Sequence, residues 1–304
     1  MSCHACLQDS GADRYHPRCL RELFGKSVLP RIDVELARLH TLALAMVGRT
    51  ALSGIQRKIS LRLSADRQTL QLALEGGRFI LKPRAQAFPE LPENEHVTMR
   101  LAGHFGIAIP PCALVELADG SLAYLVKRFD RTDEGRKLRQ EDFCQLAQKW
   151  SKEKYDGSAE LCVKLVKRYA TEPLVELLEL YRRLVFIWWT GNGDMHLKNF
   201  SLLATADRLQ QLSPAYDLLC TRLPIRGDTL ALPIGGKKDG LGRGVWRELA
   251  KVMGLPPKAA ARIHDDVTKA LPGALALVAA SRLPPEARER YRELLAERGG
   301  RLGK

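Results

Sequence analysis

The run "YRRLVFIWWTGNGDMHLKNF", from Tyr181 to Phe200, constrains this chain more than any other segment. Its first half is apolar and reads as a buried helix. The helix ends at Gly191-Asn192-Gly193, and Asp194, His196, Lys198 and Asn199 follow at once. Between Trp189 and Phe200, burial is expected. Buried polar groups need hydrogen-bond partners, and buried charges need counter-charges or a metal. The stretch therefore marks a site without yet naming its chemistry.

The 304 residues suffice for one large domain or two lobes with a real core. No apolar run reaches the length of a membrane span, since "LVFIWWTG" is short and follows "YRR". No basic-then-apolar leader is visible, so a cytoplasmic location is expected. The net charge of +13 is spread over "GRTALSGIQRK", "KRFDRTDEGRKLR", "IRGDTLALPIGGKKDGLGRG" and the tail. Such an excess fits a phosphate-bearing ligand, an acidic partner or nucleic acid, and its diffuseness argues little for a DNA-binding face.

Of the 7 cysteines, Cys112, Cys144, Cys162 and Cys220 are scattered and expected to be reduced and buried. The others lie in "CHACLQDSGADRYHPRC", where Cys3, Cys6, His16 and Cys19 have C-x2-C-x9-H-x2-C spacing. Two close pairs of soft ligands across a turn-rich loop suit tetrahedral, structural Zn²⁺, with His4 as a competing ligand. Incidental cysteines near a flexible terminus are the alternative.

Periodicity gives a helical stretch over 20–45 that includes "VELARLHTLALAM". "KISLRLS", "TLQLALEGG" and "RFILKP" then read as antiparallel strands. "ENEHVTMRLAGHFGI" reads as an amphipathic helix ending near Gly106. "CALVELADGSLAYLVKRFD" reads as a hairpin turning at Asp119-Gly120. After Asp130, "DFCQLAQKW", "AELCVKLVKRYA" and "VELLELYRRLVFIWW" carry helical periodicity. The expected class is α+β, with two lobes: a mixed-sheet lobe followed by a mainly helical one. The divisions fall at 1–48 for the Cys/His motif and a helix, 49–126 for the first lobe, 127–131 for a hinge and 132–304 for the second lobe.

Asp194, Asn199 and, in "LSPAYDLLC", Asp217 offer hard oxygen donors suited to Mg²⁺. Asp194 is a candidate base for an incoming hydroxyl, with Asn199 and Asp217 holding metal. The five-residue step from Asp194 to Asn199 is that of a kinase catalytic loop. Helix caps or turn residues are the plain alternative. Lys82 ends a strand before a helix carrying Glu93 and Glu95, an arrangement that holds phosphate in kinases, and Glu95 is the preferred partner. An exposed strand-end lysine is the other reading. The turn "ALSGIQRKISL" offers Gly54 backbone amides with Gln56 and Lys58 as phosphate contacts, or is an ordinary turn.

Assembled, the chain resembles the HipA-like serine/threonine kinases of bacterial toxin–antitoxin systems. The matching pieces are "LSGIQRKISL", "FILKP", "ENEHVTMRLAGHFGI", "VKRFDR", "RQEDFCQL", "GNGDMHLKNFSL" and "SPAYDLL", in family order from 50 to about 220. The resemblance implies a protein-kinase-like fold and ATP and Mg²⁺ as cofactors. It makes Lys82 the phosphate contact and Lys127 to Phe129 the adenine hinge. Asp194 becomes the catalytic base, and Asn199 and Asp217 the Mg²⁺ ligands. Lys198 stabilises the transferring phosphoryl group and His196 braces the loop. Ser53 becomes the autophosphorylated serine, whose phosphate would pull the loop from the nucleotide.

Few residues precede Ser53, which resembles the short HipT branch, where a separate small HipS-like protein supplies the missing domain. Ala51 stands where that branch has a second serine, leaving Ser53 to act alone unless Thr50 or Ser60 substitutes. The resemblance implies an aminoacyl-tRNA synthetase as target, tryptophanyl favoured and glutamyl the other option, with translation inhibited. It also implies a HipB-like helix-turn-helix antitoxin as the main route to DNA. A small-molecule kinase of related fold and a catalytically inactive, DNA-associated repressor component are the competing readings.

Overall fold

The computed structural model describes residues 1–32, 58–132, 134–205 and 209–303. The expected helical stretch beyond residue 32, and Thr50, Ala51, Ser53, Gly54 and Gln56, lie outside them. The chain is mixed α+β, as its sequence pattern predicts. It divides into two compact units: Met1–Arg100 with Pro110–Lys137 and Ala280–Pro284, and Leu101–Ile109 with Leu138–Ala279 and Pro285–Lys304. No helix among the described residues is long and apolar enough to cross a membrane.

The first unit is built on strands β1 (Ile59–Leu63), β2 (Leu70–Leu72), β3 (Phe79–Lys82), β4 (Cys112–Glu116) and β5 (Leu122–Lys127). They form a 5-stranded sheet in the order β2-β1-β3-β5-β4, with every pairing antiparallel. The alternation of "ISLRL" sends Ile59 and Leu61 into the core and leaves Arg62 exposed. The β4–β5 hairpin turns where expected, with Gly120 at φ +78°, a left-handed conformation that favours glycine.

Helix α1 (Pro17–Phe24) opens on proline and closes at Gly25, whose N–H donates to Arg21 O. Its buried face, Cys19, Leu20, Leu23 and Phe24, packs on Phe79, Leu81, Ala113 and Leu125. Each large aliphatic side chain buried there contributes roughly 1.5–3 kcal/mol.

Helix α2 (Leu91–His104) departs from the amphipathic expectation, because every residue from Leu91 to Met99 is buried. Its polar side chains find partners inside. Glu93 accepts from Arg84, Glu95 from Lys82, Thr98 donates to Asn94, and His96 Nε2 donates to Ala5 O at 2.9 Å.

The second unit holds strands β6 (Gln140–Asp142), β7 (Ser201–Ala204) and β8 (Gln210–Leu212), a 3-stranded antiparallel sheet. Its helices are α3 (Phe143–Leu146), α4 (Ala159–Tyr169), α5 (Pro173–Thr190), α6 (Arg243–Met253), α7 (Pro257–Ala280) and α8 (Pro285–Gly303). The "DFCQLAQKW" helix is a single turn, because Gln148 adopts φ +55° and ends it. The small sheet was not anticipated. Its strands have 3 or 4 residues, and β6 pairs with a strand some sixty positions away.

Burial, with Arg100 and His4 nearby, pushes the His96 imidazole down to about 3. The unfolded chain protonates it near its ordinary value of about 6.5, so below that pH the unfolded state binds more protons and stability falls. Between about pH 7.5 and about pH 5.5 the wild type should lose about 1.4 kcal/mol more than His96→Gln. Urea denaturation at both pH values measures this, and equal losses would mean that His96 is already protonated in the fold.

Candidate functional site

The first unit has one set of candidate residues, at the end of β3. Lys82 lies opposite Tyr124 of β5, and its Nζ sits 5.5 Å from that ring's centroid. Nζ donates to Glu95 Oε1 at 2.5 Å, with the side chains only 3% and 2% exposed. The strand-end lysine is therefore buried, and Glu95 is its partner, as expected. Glu93 pairs with Arg84 at 2.7 Å, while burial raises its carboxyl above the usual range. Desolvating an ion pair costs several kcal/mol per ion, so such a pair adds little net stability. A charge kept under those conditions points to chemistry.

Lys58 lies just before β1 and is half-buried. In the 127–129 segment, the Lys127 N–H donates to Pro111 O and the Arg128 N–H to Arg78 O. Arg128 also grips Asp130 through Nε at 2.8 Å and Nη2 at 2.6 Å. The other side chains of the segment, Lys127 and Phe129, are half-buried. Ser53, Gly54 and Gln56 lie outside the described residues.

The second unit has its own set of candidate residues, at the end of α5. Gly191 caps that helix at φ +71°, and its N–H turns back to the helix carbonyls. A Cβ on Gly193 would strike Asp228 and the carbonyl of Thr229. The two glycines are thus required by conformation and by space. Asn192 between them is buried, and its Oδ1 accepts from the Asp194 N–H at 3.0 Å. Thr221 Oγ1 accepts from Gly193 N–H at 2.7 Å and donates to Gly191 O at 3.1 Å.

The loop beyond is fastened by its own side chains. Asn199 Nδ2 donates to Asp194 O at 2.9 Å, closing a short ring around His196. Asp194 Oδ1 accepts from the Tyr155 hydroxyl at 2.7 Å. The Tyr155 ring meets His196 edge-on at 5.0 Å. Burial lowers the pKa of the His196 imidazole, although the Asp194 carboxylate opposes the shift. Lys198 Nζ donates to Asp142 Oδ2 at 2.8 Å, and the Asp142 carboxylate also caps α3 by accepting from Gln145 N. Asp217 has φ +55°, a conformation that costs non-glycine residues of order 1 kcal/mol and is found at functional sites.

Asp194, His196, Lys198 and Asn199 therefore share one braced loop, whose carboxylate and amide oxygens fit a hard cation better than a soft one. Asn199 spends its amide N–H on the loop, so its Oδ1 is the atom suited to metal. Asp142, Tyr155, Asn192 and Thr221 also belong to this network. The Asp142-x-x-Gln145 capping box could have been read from "EDFCQ". Tyr155 carries no sequence signal, because the fold alone brings it to Asp194.

Glu95→Ala should destabilise the protein by about 3 to 5 kcal/mol, since it removes the carboxylate facing a buried ammonium. The double variant Lys82→Met with Glu95→Leu should recover most of that loss. Chemical denaturation measures both, and a Glu95→Ala cost under about 1 kcal/mol would mean the ammonium is solvated or neutral.

Residues 50–275 match the HipA-like C-terminal domain. A Sinorhizobium fredii protein named "Putative kinase Y4dM" is 38% identical over 200 residues, covering 60% of this chain and 48% of that protein. "Putative kinase Y4mE" of the same organism is 32% identical, covering 68% of this chain and 51% of its own length. A Haemophilus influenzae "Putative kinase" is 29% identical, covering 62% and 59%. The chain thus spans about half the length of the curated relatives it matches. Among solved structures, HipA of Shewanella oneidensis, in a complex with HipB and operator DNA, superposes with a TM-score of 0.70 at 20% identity, covering 91% of this chain and 74% of that one. The Helicobacter pylori proinflammatory kinase CtkA gives 0.60 at 14% identity, covering 84% and 91%. The fold is that of HipA and of the kinase CtkA, and the chain belongs to the HipA-like C-terminal domain family.

Proposed function

We propose that this chain is an ATP- and Mg²⁺-dependent serine/threonine protein kinase that acts in the cytoplasm as the toxin of a bacterial toxin–antitoxin system. The observation that carries the reading is the buried Lys82–Glu95 ion pair, a charge held in place at a desolvation cost. The braced Asp194–Asn199 loop and the left-handed Asp217 support it. On this reading 49–126 and 132–304 are the two lobes and 127–131 the hinge that receives adenine.

Each residue then has a physical task. Lys82, oriented by Glu95, contacts the nucleotide phosphates, with Gly54, Gln56 and Lys58 contributing donors. Asp194 orients the attacking hydroxyl and accepts its proton, while Tyr155 fixes the angle of that carboxylate. His196 stays neutral and braces the loop. Lys198, charge-balanced by Asp142, approaches the transferring phosphoryl group. Asn199 and Asp217 are the residues that would hold Mg²⁺, which when bound neutralises charge on the phosphate oxygens.

The substrate we propose is an aminoacyl-tRNA synthetase, tryptophanyl before glutamyl, so that phosphorylation inhibits translation. A HipB-like antitoxin would supply most DNA contact, and a small HipS-like protein would be a further partner. The HipB and operator DNA seen with the Shewanella oneidensis protein support the antitoxin part of the reading.

Asp194→Asn should reduce transfer of labelled phosphate from ATP by at least about a hundredfold, with the melting temperature little changed. Near-wild-type transfer by that variant would remove Asp194 from the mechanism. Autophosphorylation is expected at Ser53. Mass spectrometry after incubation with Mg-ATP should find it in the wild type and not in Asp194→Asn, and Ser53→Asp should weaken ATP binding through like-charge repulsion. An active kinase that stays unmodified at Ser53 would end the self-control reading alone.

A further inference from the structure

The Cys/His motif of the first unit lies outside the residues assigned to phosphoryl transfer. Its ligand atoms have nevertheless gathered. One atom each from Cys3, Cys6, His16 and Cys19 lie within 4.8 Å of one another. Zn–S bonds of about 2.3 Å in a tetrahedron set ligand atoms about 3.8 Å apart, so a small contraction closes the site. All these cysteines are free thiols, with Cys3 and Cys19 buried and Cys6 partly so.

The backbone prepares the cluster from both sides. Leu7 N–H donates to Cys3 O at 2.9 Å and Cys3 N–H to Gln8 O at 2.8 Å, so Cys3 and Cys6 share one tight turn. On the other side, Cys19 sits in the first turn of α1, and its N–H donates to His16 O at 3.0 Å. Backbone N–H groups of Ala5 and His16 lie 3.5 and 3.4 Å from Cys3 Sγ, as suits a sulfur carrying negative charge. Arg18 lies beside Cys6 and Cys19 and offers positive charge to the thiolates.

The histidine is oriented as a ligand. His16 Nδ1 faces Cys6 Sγ at 3.2 Å, while Nε2 meets Asp9 O at 2.9 Å. A carbonyl can only accept, so Nε2 carries the proton and Nδ1 presents its lone pair to the sulfurs. Metal-bound histidines are commonly held by such a bond from the second nitrogen to a carbonyl. His4, the competing ligand in sequence, takes another role: it is buried and packs edge-on to Tyr15 at 5.5 Å.

We propose that Cys3, Cys6, His16 and Cys19 bind one structural Zn²⁺ ion, and that this ion fixes the 3–6 turn as a strut for α2 and β4. Two residues within the Cys3–Cys6 turn reach the lobe. Ala5 O accepts from His96, which directly follows Glu95, and His4 O accepts from the Leu114 N–H of β4 at 2.9 Å. From the α1 side of the cluster, Tyr15 donates to Leu114 O at 2.7 Å. The metal therefore closes a turn whose carbonyls hold two elements of the lobe. Nothing in this depends on the kinase reading.

Metal analysis of the full chain, purified without a metal-affinity tag or chelator, should give about one zinc per molecule. Cys6→Ser and His16→Ala should lose it, and Cys144→Ser, which alters a buried thiol elsewhere, should keep it. If the ligand variants fail to fold, cobalt(II) exchange into the wild type gives a second reading, the absorption bands of a tetrahedral thiolate site. Removing zinc with a strong chelator should speed hydrogen exchange at the Leu114 amide and along the first turns of α2. Less than about a tenth of an equivalent of zinc, or a disulfide among Cys3, Cys6 and Cys19 in peptide mapping, overturns the metal site. Unchanged exchange after verified zinc loss overturns the strut.

Discussion

The requirement that a polar group removed from water find a partner shapes this molecule, and on α2 every buried charged side chain meets it through at least one atom. Glu93, Asn94, Glu95, His96 and Thr98 are all buried. A helix with that content can sit only where donors and acceptors already wait for it. Lys82 and Arg84, at and just beyond the end of β3, supply two, and the carbonyl of Ala5 supplies another. The register of the sheet is tied to the same requirement. Ile80 pairs with Val126 and Lys82 with Tyr124. A slip of one residue would turn Lys82 to the other face and leave Glu95 facing carbon.

The second unit meets the requirement differently, with side chains that bond to backbone. Asn192, Asn199 and Thr221 hold main-chain groups of the 191–199 loop. Beneath it, buried Arg183 donates to Ser213 O at 2.5 Å, and Glu176 accepts from the Leu212 N–H at 2.8 Å. Burial raises the Glu176 carboxyl and lowers the Arg183 guanidinium, though each opposes the shift in the other. Such a frame fixes the course of the loop, while the Asp194 carboxylate accepts from the Tyr155 hydroxyl. On the proposed mechanism that carboxylate is the proton acceptor.

These differences decide what the sequence could reveal. The strands of the first sheet were legible because "ISLRL" and "FILK" border a core on one face and bear turn residues between them. The α5 helix and its glycine stop were legible for the same local reason. The Lys82–Glu95 pair was legible in a weaker way, from a strand end and a following helix. The burial of α2 from Leu91 to Met99 was not, because "ENEHVTMR" looks half-polar and only tertiary partners make that stretch interior. Gln148 in a left-handed conformation, which shortens α3, has no composition signal. Neither does Tyr155, which stands 39 positions before Asp194 and reaches it only through the fold. The metal-like spacing was plain in sequence, but the choice of His16 over His4 needed ring orientation.

The chain also keeps two kinds of donor apart, and this bears on how both proposed metals would coexist. Thiolates and imidazole gather at residues 3–19, while the candidate carboxylate and amide ligands fall at positions 194–217 of the sequence. Zn²⁺ outcompetes Mg²⁺ at most sites of mixed donors, so selectivity must come from ligand type and geometry. Within the 194–199 loop Met195 and His196 are the softer donors; both are buried, and the Tyr155 ring lies edge-on to the His196 imidazole. The His196 backbone is also pinned, with its N–H on Asp194 O and its carbonyl receiving the Asn199 N–H, both at 2.9 Å. On the proposed reading, a cation there meets the hard oxygens of Asn199 and Asp217. That is the donor set Mg²⁺ accepts and Zn²⁺ has least reason to prefer over three thiolates and a histidine.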